Sequence, residues 1–199
     1  MMDCKKALEE TAGDVEQAFT VLRKRGIASA AKKAGRMASE GVVGAYIHAG
    51  GKIGVLIEVN CETDFVARND EFQQLVHDLA MQICATDPRF IRKEEVSADV
   101  LKREREILRE QVASSGKPPE VLDRIVEGRL GKFYEDTCLY EQHFIKDTAG
   151  TMTVGELIAS RIAKFGENIT VRRFARFKVG EAVAKASTDA ASSESRTEA

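Results

Sequence analysis

The sequence predicts an α+β fold in which a small antiparallel three-stranded sheet packs with helices, including a long helical hairpin. Three observations lead to this prediction. Two apolar, strand-like runs flank a glycine-rich turn near residue 50, several helical apolar patterns follow them, and a final run near residue 174 alternates in character. The resulting order, β-β-α-(αα)-α-β, is typical of an antiparallel sheet with helices packed against it.

Composition limits the class of protein before any motif is considered. A chain of 199 residues can form one domain of ordinary size with a real core. Its charged fraction is 31% and its net charge is −2, which disfavours a protein whose main work is coating nucleic acid. No stretch approaches the roughly 18 consecutive apolar residues of a membrane helix, and the N-terminus has no apolar signal core. We therefore expect a cytoplasmic protein.

The N-terminal residues predict two short helices. The first lies in "DCKKALEE" and breaks at "TAGD". The second carries Val15, Phe19 and Leu22 on one face, and Gly26 is expected to end it. Two helices of this size bury little apolar surface, so such a unit normally needs a third helix to close its core. The small and basic residues of 27–40 then predict an exposed linker.

A β-hairpin and an amphipathic helix follow the linker. Gly50 and Gly51 sit between two apolar runs, and glycine permits the positive φ that a tight reversal requires. From Phe72 to Ile83 the apolar residues recur at helical spacing, with Asn69 as the expected N-cap. The segment "NCETDFVARNDEF" therefore lies between the end of a strand and the start of a helix.

The second half of the chain predicts a helical hairpin, one more helix and a third strand. One long helix begins after a capping Ser97 and ends at Gly116, and a Gly-Pro-Pro connection turns the next helix back on it. The alternating run "NITVRRFARFKVGE" predicts the last strand. Residues 181–199 are rich in Ala, Ser and charge, which predicts a disordered tail.

The sequence contains no recognisable catalytic or metal-binding constellation. It lacks a glycine-rich phosphate loop and a G-x-S-x-G motif. Its cysteines are widely spaced, and no histidine joins them at the spacing of metal ligands. We expect free, mostly buried thiols, no cofactor, no metal and no enzymatic activity. The cysteines concerned are Cys4, Cys61, Cys84 and Cys138.

Phe65 is an unusual residue for the corner between the hairpin and the next helix. One interpretation places its ring under the hairpin, where burial would stabilise the fold by roughly 1.5 to 3 kcal/mol. The other places it on the surface beside the carboxylate of Asp64, a combination typical of an interface anchor whose loss costs about 2 kcal/mol or more. The flanking polar residues favour the second interpretation.

Several long motifs give the chain a resemblance to the elongation factor Ts family. "NCETDFVARNDEF" resembles the signature stretch of that family, and "MMDCKKALEETAGDVEQA" resembles its second signature, in an N-terminal ubiquitin-associated-type domain. The likeness continues through "DPRFIRKEEVSADVLKRE", "SGKPPEVLDRIVEGRLGKFYED" and "NITVRRFARFKVGE". It implies the following organisation: a partial ubiquitin-associated-type helical domain at 1–26, a linker at 27–40, a core domain at 41–180 and a tail at 181–199.

This resemblance implies a guanine-nucleotide exchange factor for elongation factor Tu. In the family, the T-D-F-V motif presses into the GTPase domain and shifts the elements that hold the Mg²⁺ of bound GDP, so that GDP leaves and incoming GTP expels the factor. The matching residues here are Thr63, Asp64, Phe65 and Val66. A second group matches positions of the N-terminal motif that meet the partner: Met1, Met2 and Lys5.

Two departures from the family pattern bear on these expectations. Members carry a further helix before "MMDCKKAL", and the given sequence has none, so either the start was assigned late or the N-terminal domain is incomplete. The chain also resembles the short branch of the family, which has one core repeat where long members have two. Short members associate as homodimers, and we predict a homodimer here.

An RNA-binding or ribosome-associated module is the alternative function. Strand 169–179 interleaves basic and aromatic side chains that could track phosphates and stack bases. As an exchange factor, by contrast, the protein is expected to make no direct contact with nucleic acid. An amphipathic strand whose arginines meet acidic helices would explain the same pattern. The residues concerned are Arg172, Arg173, Phe174, Arg176, Phe177 and Lys178, with Lys32, Lys33 and Arg36 of the linker.

Overall fold

A computed structural model of the chain describes residues 2–113 and 118–181. Within these ranges seven α-helices accompany a three-stranded antiparallel sheet, which confirms the predicted α+β class. The elements in chain order are α1 (Met2–Glu10), α2 (Val15–Lys33), β1 (Glu40–Ile47), β2 (Ile53–Cys61), α3 (Asp64–Ala67), α4 (Asp70–Thr86), α5 (Ala98–Ala113), α6 (Pro119–Thr137), α7 (Val154–Phe165) and β3 (Thr170–Lys178). None of the helices in the described ranges is long and apolar enough to cross a bilayer.

The sheet has β2 at its centre, with β1 and β3 antiparallel on either side. The β1–β2 turn uses Gly50 and Gly51 at φ of 89° and 67°, which confirms the predicted hairpin. On the other side, the pairing of β2 with β3 shifts register between Glu58 and Val59. Such an irregularity is a β-bulge, and it leaves one residue of the bulged strand without a partner.

One face of the sheet forms the main core with α4 and α7. Side chains from alternate positions of β2 are buried against the apolar stripe of α4, as the helical spacing predicted. The largest fully buried side chains of this core include Ile57, Phe72, Leu79, Ile83 and Ile158. The opposite face, called here the open sheet face, leaves its apolar side chains exposed: Val43, Ile47, Leu56 and Phe177.

The predicted helical hairpin is formed by α5 and α6 around a small apolar cluster of their own. Two ion pairs join the helices, Arg105–Glu127 at 3.5 Å and Arg109–Asp123 at 3.3 Å. From the first pair to the second, the residue number rises on α5 and falls on α6, so the two helices are antiparallel. The predicted end of the first helix at Gly116 lies outside the described residues.

The predicted end of the second helix at Gly26 is wrong, because α2 continues to Lys33. A glycine inside a helix costs only about 1 kcal/mol relative to alanine, and α2 packs along α7 on both sides of Gly26. Burial of Ala30 and an ion pair between Arg23 and Glu156 extend that contact. Tertiary packing therefore outweighs the local propensity, and the first half of the expected linker is helical.

The division into four segments stays a prediction. Apart from Glu181, the expected disordered tail at 181–199 lies outside the described residues.

Gly41 provides a test of the sheet packing. It has φ of +147°, and a Cβ at this position would lie 2.2 Å from the carbonyl oxygen of Val59. Since neither backbone can move away without breaking the β1–β2 pairing, we expect Gly41→Ala to lower the free energy of unfolding by roughly 2 kcal/mol or more. Urea unfolding followed by circular dichroism measures the change.

Gly54→Ala is the matched control, since a Cβ on Gly54 meets nothing within 4 Å. We expect it to change the free energy of unfolding by less than about 1 kcal/mol. Equal losses in the two variants would contradict the close approach of β1 to β2 at Gly41.

Candidate functional site

Residues 62–69 form a rigid corner between β2 and α4, and they contain the single helical turn α3. The Thr63 hydroxyl oxygen accepts a hydrogen bond from the Val66 amide at 3.4 Å. The Asn69 side-chain oxygen accepts one from the Glu71 amide at 2.9 Å, which confirms Asn69 as the N-cap of α4. Because side-chain caps satisfy amides that helix starts leave free, both helices begin at defined residues.

The α3 turn separates supporting side chains from projecting ones. Ala67 is buried and Val66 is half-buried against the main core. Phe65 and Arg68 are exposed, and the partly exposed side chain of Asp64 reaches Arg68, so these three residues lie on the outer side. The four residues of the T-D-F-V motif are thus close in sequence but differ in setting: Phe65 is exposed, whereas Thr63 and Val66 make contacts within the fold.

The Phe65 ring projects from this turn, with 84% of the residue exposed to solvent. The interpretation that placed the ring under the hairpin is therefore wrong. Covering an aromatic side chain of this size would contribute about 1.5 to 3 kcal/mol through the hydrophobic effect. The corner therefore offers a large apolar contact at a fixed place on the surface.

Asp64 places a carboxylate beside that ring. Its Oδ2 atom lies 3.0 Å from Nη2 of Arg68, one helical turn away. The Arg68 side chain is 82% exposed, and an exposed pair of this kind contributes at most about 1 kcal/mol. The Asp64 carboxylate can therefore exchange Arg68 for another hydrogen-bond donor at small cost.

Glu167 holds the start of the corner from the far end of the chain, a role that the sequence patterns did not predict. Its Oε2 accepts hydrogen bonds from the amides of Glu62 at 3.2 Å and Thr63 at 3.0 Å. Its Oε1 accepts one from the Thr63 hydroxyl at 2.6 Å. Gly166, with φ of 78°, ends α7 immediately before it and directs the chain toward β2. Nothing in the local sequence around Glu167 signals a contact more than a hundred residues away.

Cys61, at the end of β2, is buried and is a poor nucleophile. Burial, together with the nearby Glu167 carboxylate, raises the pKa of the Cys61 thiol to about 11. The thiol is therefore protonated at neutral pH, and it donates to the Thr63 carbonyl oxygen at 3.1 Å. Cys84 and Cys138 are also buried and free, whereas Cys4 is exposed, as expected of mostly buried thiols.

The N-terminal candidates lie on a different surface. Met2 is 64% exposed, and the Lys5 side chain is 68% exposed with its ammonium 3.7 Å from Glu9. Helix α1 packs on α2, whereas the corner packs on β1, β2 and α4. Met1 lies outside the described residues.

Strand β3 uses part of its basic and aromatic set within the fold. The Arg176 side chain is only 9% exposed, and its guanidinium lies 3.2 Å from Asp87 while donating to the carbonyl oxygen of Cys84. Arg173 pairs with Glu58 at 2.6 Å, and Phe174 packs on the core. These three residues fit an amphipathic strand, but the expectation that its arginines meet acidic helices holds only for Arg176, at the C-cap of α4, because the partner of Arg173 lies on β2. Five residues of the strand are exposed, including Arg173 in spite of its ion pair: Arg172, Arg173, Ala175, Phe177 and Lys178.

Comparison with known proteins places these features in a family context. The sequence profile of the family described as "Elongation factor TS" matches residues 28–153. A protein named elongation factor Ts from Koribacter versatilis is 59% identical over 199 residues, covering all of this chain and 90% of the relative. Proteins of the same name from Geobacter metallireducens and Carboxydothermus hydrogenoformans are each 57% identical over 189 residues. These alignments cover 95% of this chain and 87% and 86% of those relatives, respectively.

The hold of Glu167 on the corner is testable by hydrogen exchange. In Glu167→Ala the amides of Glu62 and Thr63 lose their acceptor, so we expect them to exchange with deuterium about tenfold faster. We expect the amides in the middle of α4 to keep their rates, because the contacts of α4 with the core are unchanged. NMR-detected exchange measures individual amides.

Glu110→Ala removes an exposed carboxylate on α5 and is the matched control. We expect it to leave the corner amides unchanged. Equal acceleration throughout α4 in Glu167→Ala would indicate general destabilisation and contradict a local role for Glu167.

Proposed function

The chain belongs to the elongation factor Ts family and is a translation elongation factor; from this premise we propose that it is the guanine-nucleotide exchange factor for elongation factor Tu. In this proposal it binds the GDP-bound GTPase and accelerates the release of GDP. The observation that carries the proposal is the Phe65 ring, 84% exposed on a capped and packed corner. The activity requires no covalent bond to be made or broken, so the protein acts without being an enzyme.

The corner would act as a wedge. Phe65 supplies apolar surface for a pocket of the GTPase domain, and Asp64 supplies a carboxylate that competes for donors at the edge of that pocket. Thr63 and Val66 contribute by fixing the backbone from which the other two project. A single buried aromatic of this kind can contribute 2 kcal/mol or more to binding, and a fixed backbone reduces the entropy lost on association.

Insertion of the wedge would weaken nucleotide binding through the metal ion. Mg²⁺ in GTPase sites bridges phosphate oxygens and neutralises their charge. When the elements that hold the ion are pushed aside, the bound GDP loses this coordination and its phosphates repel one another. GDP then dissociates faster.

The same coupling would release the factor. If the factor weakens nucleotide binding by a given ratio, nucleotide weakens binding of the factor by the same ratio. Each 1.4 kcal/mol of coupling corresponds to a tenfold change in affinity. GTP, when it binds the emptied site, therefore favours dissociation of the factor and completes the exchange.

Helix α1 would add a second contact with the same partner. Met1, Met2 and Lys5 match the family positions for this contact, and Met2 and Lys5 are exposed. Because α1 and the corner are separate surfaces, the contact would raise affinity without taking part in displacing the metal.

We further propose that two copies associate through the open sheet face. Val43, Ile47, Leu56 and Phe177 expose apolar side chains on one side of the sheet, and contiguous apolar patches commonly mark interaction sites. The small residues Ala45 and Ala175 lie between them in the pairing register. Two such faces can stack as a β-sandwich, and a twofold axis would make one patch complementary to itself. A second copy would then replace the second core repeat of longer members.

Release of a fluorescent GDP analogue from elongation factor Tu, followed by stopped flow, tests the exchange activity. We expect the chain to accelerate release and Phe65→Ala to reduce the acceleration about thirtyfold, the ratio that corresponds to 2 kcal/mol. Asp64→Asn should reduce it by a smaller factor. Excess EDTA should shrink the acceleration by the wild-type chain, because the metal that the wedge displaces is then already absent.

Ile107→Ala removes an exposed apolar side chain from α5 and serves as the control, with an expected rate equal to wild type. Circular dichroism checks that every variant is folded. Full acceleration by Phe65→Ala would overturn the wedge, and acceleration that EDTA leaves unchanged would overturn the role of Mg²⁺.

Sedimentation velocity tests the homodimer. We expect the wild-type chain to sediment with about twice its mass of 21.9 kDa, and Ile47→Lys to sediment as a monomer, because a charge on the open sheet face would have to be buried in the dimer. Val15→Lys on α2 is the matched control, since Val15 and Ile47 are each 72% exposed. A monomeric wild type, or a dimeric Ile47→Lys, would contradict this interface.

A further inference from the structure

A polar trough lies across the end of the sheet where β2 ends and β1 and β3 begin. Its volume is about 510 Å³. Three arginines from different parts of the chain line it together with uncharged hydrogen-bonding side chains: Arg36, Arg92, Arg172, Asn60, Asn168 and Thr170. The trough thus brings one arginine of the linker and one of β3 into a single site, although these two basic segments are far apart in sequence.

Arg92 is held in place at the wall of this trough. Its guanidinium carbon lies 4.7 Å from the centre of the Tyr140 ring. Its Nη2 donates to the Thr170 hydroxyl oxygen at 2.8 Å and to the Tyr140 hydroxyl oxygen at 3.4 Å. No carboxylate among the described residues lies within 4.0 Å of the Arg92 guanidinium nitrogens. The trough therefore contains a positioned positive charge with no carboxylate in direct contact among the described residues, although Glu94 and Glu95 act on it at longer range.

Arg172 occupies the bulge of β3. Glu58 pairs with Arg173 and Val59 pairs with Val171, so Arg172 is the extra residue between two paired positions. Arg173 forms the ion pair with Glu58, whereas Arg172 is exposed and has no carboxylate within 4.0 Å in the described residues. The bulge therefore adds a second available guanidinium to the trough.

Arg36 completes the set from the linker side. The buried Asn168 side chain donates to the Arg36 carbonyl oxygen at 2.8 Å and so fixes the linker backbone. The Arg36 Nη1 atom lies 3.6 Å from Oε1 of Glu62, but that oxygen already accepts a hydrogen bond from the backbone amide of Asn168 at 2.6 Å. The Arg36 side chain is 53% exposed, so an anion in the trough can compete for its free donors.

We propose that this trough binds phosphate groups. Its lining carries three guanidinium groups against one carboxylate, Glu58, which Arg173 neutralises. Guanidinium groups present paired N–H donors that match the oxygens of phosphate, and several converging forks suit its tetrahedral arrangement better than a planar carboxylate. Because the whole chain has a net charge of −2, this is a local concentration of positive charge and not a property of the surface as a whole.

The phosphate can come from a small phosphorylated molecule or from the backbone of RNA. In either case the site lies next to the corner, since Glu62 contacts Arg36 and immediately precedes Thr63. The phosphate site does not depend on the exchange function, because its residues differ from those of the wedge. Failure of one proposal therefore leaves the other standing.

Binding measurements on the full chain distinguish the two sources. Inorganic phosphate and pyrophosphate are titrated by calorimetry, and a fluorescent single-stranded RNA of about ten nucleotides is titrated by anisotropy. We expect Arg172→Gln and Arg36→Gln each to weaken binding about tenfold. Arg103→Gln makes the same charge change on an exposed residue of α5 that does not line the trough, and it should change affinity less than twofold. Circular dichroism checks the fold of each variant.

The results distinguish a small phosphorylated molecule from RNA as the ligand. Binding of pyrophosphate but not RNA assigns the site to a small molecule, whereas RNA binding with a slope of log K against log salt near −2, about three phosphate contacts, assigns it to RNA. The proposal is overturned if neither probe binds at millimolar concentration, or if Arg103→Gln weakens binding as much as Arg172→Gln. It is also overturned if a fluorescent peptide of glutamates binds as tightly as the phosphate probes.

Discussion

The corner depends on one constraint: an apolar ring must stay in water although the core lies directly beneath it. The hydrophobic effect would draw Phe65 inward if the backbone could rotate. Two sets of contacts prevent that rotation. Val66 and Ala67 occupy the inward side of α3, and the Glu167 carboxylate accepts both amides and the hydroxyl at the start of the turn. The ring therefore stays exposed because Val66 and Ala67 pack on the core and hold the turn in place.

The end of the sheet organises more than the corner. Strand β2 runs between β1 and β3 and continues into the corner, so the place where it ends fixes the positions of the corner and the polar trough together. Its alternating side chains form the core on one side and the open sheet face on the other. Three exposed surfaces, the ring of the corner, the cationic trough and the apolar open sheet face, thus share one strand as their support.

Local patterns predicted those parts of the structure that local physics determines. The hairpin follows from glycines that permit positive φ, and α4 follows from its apolar spacing and the Asn69 cap. Gly26 was misjudged because packing on α7 outweighs the propensity of one residue. The polar neighbours of Phe65 correctly favoured its exposure, but a one-turn helix gives no periodicity to indicate which side faces inward. Glu167 and the trough required knowledge of contacts between distant segments.

Residues that support the corner belong to the site together with the residues exposed on it. Thr63 is half-buried and offers little surface, yet its hydroxyl joins Glu167 to the cap of α3. A wedge transmits free energy to its partner only if it resists displacement, because a mobile side chain would yield instead of moving the partner's elements. In the proposed exchange mechanism, residues that stiffen the corner would therefore contribute to coupling as the ring does, without touching the partner.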